Sequence, residues 1–103
     1  MTFSVEYSKQ ADKDLYDIEY YISHVLKNPT AAKHTIKGIL SKTDLLVLQP
    51  EMGTQFFNGD GKLTGYRYVI YKNYLAFYHV YGNVIHVDRV IYGRRNYFIQ
   101  IFD

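Results

Sequence analysis

Three runs rich in β-branched and aromatic residues, Tyr66 to Lys72, Tyr74 to Tyr81 and Val84 to Tyr92, follow one another through the tight connectors Lys72-Asn73 and Gly82-Asn83. Residue types of this kind fit a pleated, half-buried surface. Connectors this short leave neighbouring strands little choice but to fold back on each other, so the second half of the chain reads as a meander of antiparallel hairpins. Thr54 to Phe57 adds a short strand, and Asn58-Gly59-Asp60-Gly61 is a strong turn signal between it and the meander.

The first half has a different period. Phe3, Val5 and Tyr7 alternate with Ser4 and Glu6, as a strand over Thr2 to Tyr7 requires. From Ser8, a side chain suited to an N-cap, the period changes to that of a helix. Ala11, Leu15, Ile18, Ile22 and Leu26 draw one apolar stripe, and Asp12 and Asp14 stand near the positive end of the helix dipole. Asn28-Pro29 interrupts this pattern and starts a second helix, to about Leu48, with Ala32, Ile36, Ile39, Leu40, Thr43, Leu46 and Val47 on its buried face. Gln49-Pro50 ends it, because the residue before proline avoids the helical region. The order strand, antiparallel helical hairpin, then strands defines an α+β fold: the helical hairpin covers one face of a twisted antiparallel sheet, and the other face is free to be polar. The tail, Tyr97 to Phe102, fits either a last strand or a docked helical turn.

The 103 residues suit a single domain spanning 1–103. Without cysteine there is no disulfide and no thiolate metal site, which agrees with a reducing, cytoplasmic setting. Met1 to Tyr7 lacks the charged and apolar regions of a signal peptide. No run approaches the roughly 18 apolar residues of a membrane span. The composition also places 12 tyrosines, whose rings seek burial while their hydroxyls seek water or a partner, at sheet edges or an interface. Charge is divided unevenly: residues 1–26 carry a net of −3, residues 62–95 a net of +5, and all four arginines fall in the second stretch. A concentrated positive field attracts a polyanion or an acidic partner.

The segments Gly65-Tyr66-Arg67-Tyr68-Val69-Ile70-Tyr71, Tyr74-Leu75-Ala76-Phe77-Tyr78 and Arg89-Val90-Ile91-Tyr92-Gly93-Arg94-Arg95 resemble the RelE/ParE toxins of type II toxin–antitoxin systems. So do the first strand, Ala11 and Asp14-Leu15 of the first helix, Asn28-Pro29 with Ala31-Ala32, and Val47-Leu48-Gln49-Pro50-Glu51-Met52-Gly53, which is similar to the family's L-x-x-P-x-x-G connector with Val47 in place of leucine. The likeness covers nearly the whole chain. It implies a curved sheet with an N-terminal helical hairpin, a cognate antitoxin as partner, no cofactor, and one of two targets. RelE-like members cut messenger RNA in the ribosomal A site, and ParE-like members poison DNA gyrase.

Metal-free RNA cleavage needs a base for the 2′-hydroxyl, a cation for the charged phosphorane and an acid for the leaving oxygen. Arginine suits the middle task because its fork meets two phosphate oxygens together. The resemblance assigns catalytic roles to Arg67, in the G-Y-R segment, and to Arg95, in the turn Gly93-Arg94-Arg95-Asn96. Arg94, Lys62, Arg89 and Tyr97 are the candidate substrate-binding residues. Arg89 equally suits a structural pairing, since it alternates with Val87 and Ile91. The RelE-like lysines ahead of G-Y-R have only Lys62 as a counterpart, out of register, and no tyrosine stands near Ile101. The glutamate and C-terminal His-Tyr pair of the YoeB-like branch are missing too: Glu51 precedes the expected strand. His79 and His86 fall on neighbouring strands and, in the right register, could share acid–base work. His24 and His34 belong to the helical hairpin. With no cysteine and scattered acids, a metal site is not indicated. The leading reading is a metal-free, ribosome-dependent mRNA endoribonuclease, because Arg67 and the paired-arginine turn are retained; the alternatives are a gyrase-directed toxin that acts by binding and a noncatalytic antitoxin-binding remnant.

Overall fold

A computed structural model of the chain describes residues 2–93. Strand β1 (Ser4–Tyr7) leads into helix α1 (Lys9–Tyr20), a π-helical turn (Tyr21–Val25), helix α2 (Pro29–Asp44) and a 3₁₀ turn (Leu45–Val47). Four strands follow: β2 (Thr54–Phe57), β3 (Leu63–Tyr71), β4 (Tyr74–Tyr81) and β5 (Val84–Tyr92). The five form one sheet in the order β1-β5-β4-β3-β2. Residues 94–96 of the expected turn and the tail from Tyr97 lie outside the described residues.

The caps act as their residue types dictate. The Ser8 side chain accepts from the Ala11 N–H at 2.9 Å, and the Asn28 side chain from the Ala31 N–H at 3.1 Å. β2 to β5 are antiparallel neighbours, while β1 adds parallel to β5 with Val5 opposite Ile85. The sheet is therefore mixed. The helical hairpin carries the chain across the sheet, and a strand reached through such a crossover can lie parallel where a tight hairpin could not. The first helix stripe ends earlier than its apolar residues do. Ile22 is buried, but Leu26 is 56% exposed because the π turn rotates the residues after Tyr20 away from the regular helical register.

Two apolar clusters hold the sheet. On the helix side, Ala11, Ile39 and Leu46 meet Val69, Ala76, Tyr78, Ile85, Val87 and Val90, all buried. On the opposite side Phe56, Leu75, Phe77 and Ile91 form a second buried cluster against Tyr66 and Tyr68. That face is thus not the polar one the sequence pattern suggests. β4 is the central strand, and its run Leu75-Ala76-Phe77-Tyr78 is buried on both sides, so it is apolar without alternation.

Between Phe77 and Tyr78 the β4–β5 register shifts: Phe77 faces Arg89 and Tyr78 faces Val87, so Asp88 has no residue opposite it. This β-bulge breaks the ladder, and the start of α1 satisfies what it exposes. Ser8 donates through its N–H to the Val87 carbonyl (3.0 Å) and through its hydroxyl to the Asp88 carbonyl (2.9 Å). Asp14 Oδ2 accepts from the Val90 N–H at 2.9 Å.

Candidate functional site

Arg67 stands in the middle of β3, opposite Tyr78 of β4 and Gln55 of β2. Cross-strand partners share a face, and Tyr78 belongs to the helix-side core, so Arg67 points to that side as well. The connector 48–53 passes there. Arg67 Nη1 donates to the Glu51 carbonyl at 3.0 Å and the Gly53 carbonyl at 2.9 Å. Tyr78, wholly buried, donates its hydroxyl to the Pro50 carbonyl at 2.8 Å and accepts from the Gly53 N–H at 3.0 Å. Burial pushes the Tyr78 phenol above the usual tyrosine value, against the opposing effects of the Gly53 hydrogen bond and the Arg67 charge. It therefore remains the protonated donor that Pro50 requires. A Cβ at Gly53 would fall 2.4 Å from the Tyr78 hydroxyl, so the approach needs glycine.

Beside this latch opens a cleft of about 430 Å³, lined among others by Phe3, Leu48, Glu51, Gly65, Arg67 and Val80. Gln49, Tyr78 and His79 line it too, so a guanidinium, a carboxylate and an imidazole share the cleft with apolar walls. That suits a mixed polar and apolar group of a macromolecule more than it suits a phosphate clamp, which gathers several cations.

The remaining candidates are dispersed. Arg89 forms a two-pronged ion pair with Asp14, Nε to Oδ2 at 2.8 Å and Nη2 to Oδ1 at 3.1 Å, and Asp14 is 8% exposed. Lys62 is exposed in the turn before β3, five residues from Arg67, or about 16 Å along an extended chain. Arg95, Arg94 and Tyr97 lie outside the described residues. Arg67 and Arg89 do not gather on the side of the sheet away from the helices. Arg67 turns to the connector and Arg89 to α1, where each meets acceptors: the Glu51 and Gly53 carbonyls for Arg67 and the Asp14 carboxylate for Arg89.

The histidines do meet. His79 and His86 are directly opposite in the β4–β5 register, with rings stacked at 4.9 Å and 14°. His79 Nδ1 lies 2.7 Å from Asp88 Oδ2. A carboxylate only accepts, so Nδ1 carries a proton in this contact. Tyr66 packs edge-on against His79 at 5.7 Å. Among the described residues no group of three or more His, Cys, Asp or Glu side chains could hold a metal ion.

Sequence reasoning missed the Tyr78 latch and the Asp14 clamp. Asp14 had a readable signal: it sits three residues after Ala11 and four before Ile18, on the buried stripe, where a carboxylate must have a partner. Tyr78 had none, since one buried tyrosine among 12 carries no mark of its own.

An N-terminal strand, a helical hairpin and a mixed sheet, with an arginine–tyrosine latch over a proline–glycine connector, make the architecture expected of the RelE/ParE class. Residues 5–97 match the family model described as ParE toxin of type II toxin–antitoxin system, parDE. The chain belongs to that family. Among solved structures it is similar to a chain of the chromosomal ParDE toxin–antitoxin system from P. aeruginosa, at 20% identity and a TM-score of 0.73, over 89% of this chain and 97% of that one. It is also similar to YafQ from E. coli strain BL21(DE3), at 15% identity and a TM-score of 0.57, over 98% and 99%. A chain of the E. coli DinJ–YafQ toxin–antitoxin complex gives 14% identity and a TM-score of 0.56, over 89% and 93%. No curated protein matches in sequence.

Proposed function

We propose that this toxin acts by binding and poisoning DNA gyrase, the ParE-like mechanism, and that a cognate antitoxin holds it inactive in the cytoplasm. The observation that carries this reading is the use made of the two strand arginines. Arg67 grips connector carbonyls and Arg89 pairs with Asp14. Both shape the protein's own surface instead of converging on one anion site. A poison that works by occupying its target needs a shaped surface and no acid–base set. The match to the ParE family model supports the same choice. Among the described residues no helix is long and apolar enough to cross a membrane, in keeping with a cytoplasmic partner and target.

Ribosome-dependent cleavage of mRNA is the second reading, and one observation favours it: the Asp88–His79 contact with His86 stacked beside it resembles a proton-transfer pair. The two separate in one experiment. The toxin is induced without antitoxin, and thymidine and amino-acid incorporation are followed over the first minutes, with purified gyrase assayed for trapped cleavage complexes. Early loss of DNA synthesis with translation intact is the expected result. Early loss of translation with cut messages would replace the gyrase reading by the nuclease one. Normal growth under full expression would point to the antitoxin-binding remnant.

A further inference from the structure

The helical hairpin is electrically divided. α1 carries Asp12, Asp14, Asp17 and Glu19 against Lys9 and Lys13. Residues 27–43, which contain all of α2 but its last residue, hold Lys27, Lys33, Lys37 and Lys42 and no carboxylate, a net of +4. Lys33, His34 and Lys37 are exposed, and with Thr30 they rim a shallow depression of about 310 Å³ on the outer face of the helix. Their spacing of three and four residues puts them on one side of the helix, with Lys33 and Lys37 one turn apart, a rise of about 6 Å. Among the described residues no ion pair involves any of these four lysines. Like charges four residues apart weaken a helix, so local stability does not account for the arrangement.

From this face we infer that α2 is a contact surface for the phosphate backbone of duplex DNA. Three features select that partner. The outer face carries charge of one sign, Lys33 and Lys37 with no carboxylate in α2 before Asp44, and a separation of about 6 Å along the axis lets the two meet successive phosphates. The outer face has no Phe, Tyr or Trp, with His34 its one ring: α2 reads Pro-Thr-Ala-Ala-Lys-His-Thr-Ile-Lys-Gly-Ile-Leu-Ser-Lys-Thr-Asp, and single-stranded nucleic acid is held chiefly on several stacked aromatic platforms. Nor does the face present an apolar anchor ringed by polar groups, and protein interfaces are depleted in lysine. Lysines contact phosphates without reading bases, so binding is independent of sequence. The inference rests on the gyrase-directed reading for its setting, since gyrase holds duplex DNA beside any toxin bound to it. The contact itself stands on the charges of α2.

The test uses the purified full chain and a labelled duplex of about 20 base pairs, with fluorescence anisotropy at rising salt. Two phosphate contacts give a slope of log affinity on log salt of about −2. Lys33→Glu/Lys37→Glu should weaken duplex binding at least tenfold and flatten the slope, with an unchanged circular dichroism spectrum. Lys9→Glu/Lys13→Glu, the same charge change on α1, should leave the slope as it was. No duplex binding by the parent chain at about 50 mM salt would overturn the inference. So would full binding by the α2 variant, or tighter binding to single-stranded RNA of equal length. Gyrase poisoning without duplex binding would remove this surface and keep the proposed function, whereas duplex binding without gyrase poisoning would do the reverse.

Discussion

Asp14→Asn keeps the side-chain shape and removes the charge on which the β5 bulge depends. Four donors converge on that carboxylate: Arg89 Nε (2.8 Å) and the Val90 N–H (2.9 Å) on Oδ2, Arg89 Nη2 (3.1 Å) and Gln10 Nε2 (3.1 Å) on Oδ1. An asparagine can accept at one oxygen only and turns an NH₂ toward the remaining donors. Removing one partner of a buried ion pair is destabilising by about 3–5 kcal/mol. Asp14 is nearly closed off, but the Arg89 side chain is 26% exposed and water relieves part of its loss, so the lower end, about 3 kcal/mol, applies. For a chain of this length that corresponds to a fall in Tm of about 14 °C. Thermal melts by circular dichroism, with urea unfolding at 25 °C, read it directly. Asp14→Asn/Arg89→Met separates the pair from the carboxamide. With the guanidinium no longer facing a carboxamide and the Asn oxygen still facing Val90, the double variant should recover to within about 1–2 kcal/mol of the parent. A fall below about 4 °C for the single variant, or a double variant no better than the single, would refute the assignment of Asp14 as the clamp of the bulge.

The connector latch gives a second expectation. Tyr78→Phe leaves the Gly53 N–H and the Pro50 carbonyl without their partner and should cost about 1–3 kcal/mol in urea unfolding. Gly53→Ala, with its Cβ forced onto the Tyr78 hydroxyl, should destabilise by a similar amount, about 1–3 kcal/mol; an unchanged urea midpoint in either would show that the latch is not formed. The phenols of Tyr7, Tyr74 and Tyr78 are all raised, each chiefly by burial. The native state therefore prefers the neutral phenol: the stabilisation is complete below the ordinary tyrosine value near pH 10 and drains away as pH climbs through the higher native values. Ultraviolet titration should show a class of tyrosines that ionises late and merges with the rest in denaturant. A single class at the ordinary value in the native protein would contradict this. His79→Asn removes a contact between two partly exposed side chains and should cost no more than about 1 kcal/mol. Under the gyrase reading it leaves growth arrest intact, and loss of arrest with the fold retained would favour the nuclease.

The order of elements was legible because it rests on period and punctuation. Ser8, Asn28-Pro29 and Gln49-Pro50 bound the helices within a few residues of where they stand. The two connectors after Lys72 and Gly82 set the meander. What failed depends on contacts between elements remote in sequence. Nothing local marks β1 as parallel to β5, since its alternation is the same in either direction. The bulge at Asp88 is equally silent: Val87-Asp88-Arg89 reads as ordinary alternation until β4 is laid beside it. Because that extra residue shifts every later side chain, the environments of Asp88 and Arg89 could not be read from the strand pattern. The basic face of α2 stands in the sequence as lysines without a carboxylate over residues 27–43, while the arginines all lie in the later strands and the expected turn after them.

Arg67 shows why the likeness to a toxin family was stronger than the choice of mechanism. The G-Y-R segment and the proline–glycine connector are separate motifs in the sequence, yet in the fold they are one unit. The guanidinium and the Tyr78 phenol hold the Pro50, Glu51 and Gly53 backbone groups, and Gly53 is the residue small enough to let them close. A pattern that builds this latch identifies a way of folding the connector over the sheet, and a nuclease and a binding poison can both use it. Chemistry must then be decided by groups the latch does not fix: those at the mouth of the cleft, the His79–Asp88 pair and the charge that α2 presents to solvent. An Arg67→Lys variant keeps the positive charge, but its shorter side chain does not carry a donor out to the position of Nη1, the one nitrogen that meets both carbonyls. It should therefore loosen the connector, seen as faster amide exchange at Gly53, in a nuclease and a binder alike. Unchanged exchange would mean that Arg67 is held in the sequence for a ligand and not for the fold.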